Sequence, residues 1–151
     1  TSDEDEVAAI EAGRAGKGWQ QTGYSFNAWM PQRNALDAPG TCRFYGSQSP
    51  GPNSHFYTIS KEECAFLVKR SREVAPDKPR WNLEYENFFS AFEPEADGTC
   101  KSGLVPVYRA YNNGFAKGID SNHRFVTDRT LFEPLIAEGW VDEGIKLCTP
   151  P

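Results

Sequence analysis

Polar and apolar positions along this chain fall into a unit that recurs, and its middle copy is the easiest to follow. Ser60 followed by Glu63, with apolar positions at Cys64, Leu67 and Val68, has the spacing of a capped amphipathic helix. The pattern predicts a helix from a Ser60 cap to about Arg72, stopping before Pro76, with Glu63 reaching back to the cap residue. Two aromatic and β-branched runs, Cys42–Tyr45 and His55–Ile59, precede it. The Gly- and Pro-rich segment 46–53 between them predicts a hairpin. Trp81, Leu83, Tyr85, Phe88 and Phe89 follow as extended apolar structure closing at Pro94.

The third copy keeps this order. Val107–Tyr111 and His123–Thr127 predict a hairpin around a longer turn, and Asp128 caps a helix carrying Leu131, Phe132, Leu135 and Ile136. Pro134 is tolerable only early in that helix, and Gly139 is a stop signal before Trp140. The first copy starts late. Thr1 and Ser2 align with Ile59 and Ser60, so a helix from Asp3 to about Ala12 and a strand after Trp19 are expected, without a leading hairpin. Its acidic start, Asp3–Glu6, suits the positive end of a helix dipole. Either upstream residues of a parent polypeptide or strands added by another chain are expected to supply that hairpin.

Self-similarity at roughly sixty-residue spacing describes units that share one core because none can bury its apolar face alone. The expected fold is therefore α+β, a pseudo-threefold arrangement of strand-strand-helix-strand repeats. It occupies a single domain, 1–151, with units at 1–31 (partial), 32–94 and 95–151. Trp19, Trp81 and Trp140, each following a helix, are expected to be core wedges.

Composition narrows the function. With 38% hydrophobic and 13% aromatic residues the chain is a globular, loop-rich protein. A net charge of -5 sets up a field that opposes nucleic acid and anionic membrane surfaces. No apolar run is long enough for a membrane span. Cys42, Cys64, Cys100 and Cys148 include no C-x-x-C pair, so disulfides are favoured over zinc. Four cysteines allow three pairings; Cys42 with Cys64 and Cys100 with Cys148 are preferred because each closes within one copy. Disulfides place the chain outside the cytoplasm.

Candidate chemistry is sparse. His55 and His123 occupy matching places, as do Arg43 and Arg109, each two residues before Tyr45 or Tyr111. On an alternating strand Arg and Tyr share a face, which would make a sugar platform with Asn112 and Asn113 in the adjoining turn. The alternative is an arginine held within the sheet by aromatic rings and hydrogen bonds. Glu84 with Glu86, or Asp142 with Glu143, would be a glycosidase pair only if their carboxyls converge in space. No G-x-S-x-G is present, the glycines at 13, 16 and 18 follow a helix rather than a strand, and Asp3–Glu6 lacks calcium-loop spacing. No catalytic residue, metal site or cofactor is expected.

The phrases Pro106-Val107-Tyr108-Arg109-Ala110-Tyr111-Asn112, Ser54-His55-Phe56-Tyr57-Thr58 and Gly139-Trp140-Val141-Asp142-Glu143-Gly144 resemble a repeat family with copies near PVYRFYN, DHFYT and GWxYEGxxF. That family is of unknown function and occurs in secreted and cell-surface proteins, often beside hydrolases acting on cell walls or polysaccharides. The resemblance implies an accessory module. The function expected is a non-catalytic extracellular binding module for carbohydrate on a cell surface or matrix, contacted by Arg43, Tyr45, His55, Arg109, Tyr111, Asn112, Asn113 and His123. The alternatives are an assembly protein that binds itself or a larger polypeptide through the missing hairpin, and a small secreted hydrolase.

Overall fold

The computed structural model describes residues 1, 3–16, 18–19, 21–31, 37–46 and 48–151. It is an α+β structure of short helices and two three-stranded antiparallel sheets. Helix α1 (Glu4–Glu11) comes first. Strands β1 (Cys42–Tyr45) and β2 (His55–Thr58), helix α2 (Lys61–Glu73) and strand β3 (Asn82–Tyr85) form one group. Strand β4 (Val105–Tyr111), helix α3 (Gly114–Lys117), strand β5 (His123–Val126), helix α4 (Arg129–Ala137) and strand β6 (Val141–Thr149) form the next. The sheets have orders β2-β1-β3 and β5-β4-β6, so each hairpin receives the strand that follows its helix against its first strand.

Local chemistry explains the helix ends. Asp3 caps α1, accepting from the amides of Asp5 and Glu6 at 2.9 and 3.1 Å; Ser2, the expected opener, lies outside the described residues. Ser60 Oγ accepts from the Glu63 amide at 3.2 Å. The reciprocal half of the expected box does not form, because the Glu63 carboxylate is committed to Arg109. Asp128 caps α4, and Pro134 is its sixth residue. A Schellman pair then ends α4: Gly139, at φ +91°, donates to Ile136 O and Trp140 donates to Leu135 O.

Three apolar clusters support the sheets. Phe44 and Phe56 pack with Leu67, Val68 and Trp81 beneath α2, while Ala110, Val126 and Phe132 pack with Tyr24 and Trp140 beneath α4. Between them Phe89, Ala91, Val107 and Leu147 form a central cluster that also takes Phe26 and Ala28. The segments after the three tryptophans meet there, joined by isolated bridges from Trp29 to Ser90 and from Phe92 to Cys148. That meeting replaces the strand expected after Trp19, since residues 21–30 contribute only the bridge at Trp29. Trp81 and Trp140 are half-buried flanks of two of these clusters rather than buried wedges, and the half-buried Trp19 packs on His55. Disulfides join Cys42 to Cys64 and Cys100 to Cys148, as expected, across Cα separations of 6.1 and 5.6 Å. No described helix is long and apolar enough to cross a membrane.

Candidate functional site

Each sheet has an arginine at its centre. Arg43 on β1 and Arg109 on β4 have side chains only 2% and 4% exposed. A buried guanidinium must be paired, and both are. Arg109 makes a bidentate pair with Glu63 of α2, at 2.9 Å to each oxygen, and its Nε lies 2.7 Å from Glu143 of β6. Arg43 pairs with Glu6 of α1, and its Nε lies 2.7 Å from Glu84 of β3. Aromatic faces complete both environments: the Arg43 guanidinium sits 4.4 Å from the Phe88 ring centre and that of Arg109 sits 4.8 Å from the Phe56 centre.

The strand carboxylates reach their arginines through β-bulges. Arg43 stands opposite Tyr85 and Phe44 opposite Leu83, so Glu84 is an extra residue without a partner of its own. In the second sheet Tyr108 stands opposite Ile145 and Ala110 opposite Asp142, which sets Glu143 and Gly144 together against Arg109. Gly144, at φ +78°, supplies the left-handed backbone that this bulge requires. A bulge re-aims one side chain. Here it turns a residue that simple alternation would place otherwise onto the neighbouring arginine.

A histidine completes each cluster. His55 Nε2 lies 3.3 Å from Glu6 Oε1 and 3.7 Å from Glu84 Oε2, and the edge of Trp19 meets the His55 ring at 4.6 Å between centres. His123 lies 3.6 Å from Glu143, and Trp81 lies 6.1 Å from it. Burial and then the adjacent guanidinium hold both imidazoles down to about 3, outweighing the nearby carboxylates, so both are neutral at pH 7. Burial raises Glu6 and Glu63, but pairing with Arg43 and Arg109 overcomes it and leaves both carboxyls below the ordinary range. Glu84 goes the other way. Its burial, together with the Glu6 charge, outweighs Arg43 and raises its carboxyl.

These shifts predict an acid-labile fold. A histidine in the unfolded chain titrates near 6.5, so between about pH 6.5 and 3 the unfolded chain binds protons that the folded chain refuses. Stability therefore rises with pH through this window and is lost as pH falls below about 6.5, by at most ~1.4 kcal/mol per pH unit for each histidine. Protonation of Glu6 and Glu63 adds to that loss at lower pH, while Glu84 opposes it. Urea midpoints measured from pH 7 to 4 should fall steadily, and the slope should shrink in His123→Gln; equal midpoints at pH 7 and 5 would contradict this account.

The two clusters differ at their outer face. Beside the first, Glu6, Ala15, Trp19, Tyr45, His55 and Glu84 line an open cleft of about 270 Å³. Tyr45 is 37% exposed there, and among the described residues the buried indole N–H of Trp19 has no hydrogen-bond partner. Beside the second, the Tyr111 ring is stacked on His123 at 4.7 Å, and its hydroxyl accepts from the Phe115 amide and meets Ser121. The turn over residues 112–122 produces this closure. Asn112 Oδ1 accepts from the amides of Gly114 and Asn122 while its Nδ2 donates to Asp120 O, and Asn113 precedes α3 at φ +54°. Gly114 fits because a Cβ would fall 2.2 Å from Asp120 O.

The residues singled out from sequence thus separate into groups. Tyr45 and His55 line the cleft; Arg43 and Arg109 lie beneath the surface in ion clusters rather than on a platform shared with tyrosine; Tyr111, Asn112, Asn113 and His123 build the covered counterpart. Glu6, Trp19 and Glu84 join the cleft without having been singled out as ligand contacts. Their signal was present as residues at matching offsets, since Glu6 and Glu63 stand three after a helix cap and Glu84 and Glu143 three after a tryptophan.

The profile of a family described as a domain of unknown function, DUF5648, matches residues 1–149. The chain belongs to this family. No curated protein and no solved structure matches it. The DUF5648 match takes in both arginine clusters, the cleft and both disulfides.

Proposed function

We propose that this DUF5648 chain is a non-catalytic extracellular module that binds carbohydrate of a cell surface or matrix in the cleft beside Arg43. The observation that carries the reading is the contrast between the clusters: the same Arg, His and paired-Glu set is present twice, but Tyr45 is exposed beside a cleft whereas Tyr111 is half-buried and stacked on His123. A set repeated where the outer face is covered is scaffold. What differs, Tyr45 and Trp19 over polar groups, is the combination that stacks on a pyranose and bonds its hydroxyls. Catalysis by Glu6 and Glu84 is disfavoured, because both carboxylates are engaged by one guanidinium. Two disulfides favour an oxidising location.

The scaffold itself is best understood as three copies about an approximate threefold, of the repeat family that its phrases resemble. Both sheets have one order, Trp19 meets His55 and Trp81 meets His123 from one unit to the next, and Phe26, Phe89 and Leu147 enter one cluster. The third junction would carry Leu131 and Thr22 where the other two have glutamates, so its contact is of another kind.

Binding to a panel of immobilised polysaccharides and glycans tests the function. Tyr45→Ala is expected to weaken binding about tenfold, equivalent to ~1.4 kcal/mol, while Tyr111→Ala leaves the affinity unchanged. Absence of any glycan binding, or equal loss in both variants, would reject the cleft as the site.

A further inference from the structure

The charge of the cleft narrows the class of sugar it takes, an inference that rests on the carbohydrate reading above. Among the described residues its lining holds two carboxylates, Glu6 and Glu84, and no cationic side chain. Among the described residues Arg43 is buried below and divided between both, and the Thr1 α-ammonium reaches Glu6 alone of the two. His55 contributes no charge at neutral pH. Among the described residues Glu6 thus has two cationic partners while Glu84 has a share of one, and the chain around the cleft is anionic.

The two carboxylates are not equally engaged. Glu6 pairs through Oε1 with Arg43 and His55 and is bonded to Thr1 as well. Glu84 makes its contacts through Oε2, at 2.7 Å to Arg43 Nε and 3.7 Å to His55 Nε2, and among the described residues Oε1 makes none. Burial and the Glu6 charge outweigh Arg43 and raise the Glu84 carboxyl, so the positive charge at hand does not fully compensate it. An ammonium placed against Oε1 would supply that charge in a charge-assisted hydrogen bond, while a ligand carboxylate or sulfate would face two like charges. Trp19 and Tyr45 stand at the same cleft to take the ring face.

We propose that the cleft selects sugars bearing a free amino group, with the ammonium on Glu84 and the pyranose against Trp19 and Tyr45, and turns away uronate and sulfated sugars. Titration calorimetry at 150 mM salt with three probes tests this: a glucosamine tetramer, the N-acetylglucosamine tetramer and a galacturonate tetramer. The glucosamine tetramer is expected to bind at least tenfold more tightly than its acetylated counterpart, with no detectable binding of the uronate. Glu84→Gln should remove that preference, whereas Glu138→Gln, which deletes an exposed charge elsewhere, should keep it. Equal affinity for the amine and acetylated tetramers, or preference for galacturonate, overturns the amino-sugar inference and leaves carbohydrate binding standing. An equal loss in both variants identifies mere attraction of a polycation to an acidic protein and overturns it too. No binding of any sugar in the wider panel removes both readings. Should Glu84→Gln fail to fold, the comparison of the three probes on the unaltered chain still decides.

Discussion

Arg109→Ala is expected to lower the unfolding free energy by about 3–5 kcal/mol, the range for breaking a buried ion pair by deleting one partner. The loss is large because the pair is a hub. Removing the guanidinium strands Glu63 and Glu143, which lose three short hydrogen bonds, and it takes a cation off the Phe56 face. Solvent reaches both carboxylates to some extent, with side chains 32% and 24% exposed, which points to the lower end of the range. Arg109→Lys should recover only part of the loss, since an ammonium cannot reproduce the bidentate contact with Glu63. Arg43→Ala should cost a comparable amount if the two clusters are structural equivalents. Urea unfolding at pH 7 measures both, and a loss under 1 kcal/mol for Arg109→Ala would mean that the cluster contributes nothing beyond a surface pair.

Replacing Cys100 and Cys148 together by alanine is expected to cost about 4 kcal/mol, and replacing Cys42 and Cys64 about 3, from the loop-closure entropy that each bridge removes from the unfolded chain. The order follows from sequence separations of 48 and 22. Cys148 has no solvent exposure, so the second disulfide ties the segment before β4 to a fully buried position of β6. Denaturant midpoints of the two double variants give the comparison directly. A smaller loss on removing the longer closure would show that native-state contacts, rather than chain entropy, set the contribution of these bridges.

Much of the local structure was legible in the sequence because it is written in short-range chemistry. Ser60 and Asp128 announce helices, Gly139 ends one, and the runs Cys42–Tyr45 and His55–Thr58 pair as a hairpin. The covered cluster was less legible. Helix α3 is four residues long and arises from an Asn112 bond network, which leaves no apolar period to detect. Glu63 carried a capping signature, yet its carboxylate goes to an arginine 46 residues along the chain; no local rule could have named that partner. The same holds for the cleft, whose walls are α1, the Trp19 segment, β1, β2 and β3. The pattern said which residues match between copies. It did not say that bulges at Glu84 and Glu143 would turn those residues inward and leave Tyr45 outside.

The arginine hubs also govern how the chain can come apart. Arg109 on β4 is held by α2 from the preceding group of elements and by β6 from its own, and Arg43 is tied to α1 and β3 in the same fashion. Neither group can detach without exposing half of a charge cluster that the other completes. Melting should accordingly proceed as one cooperative event, and a fragment cut between Pro94 and Val105 should refold from neither side.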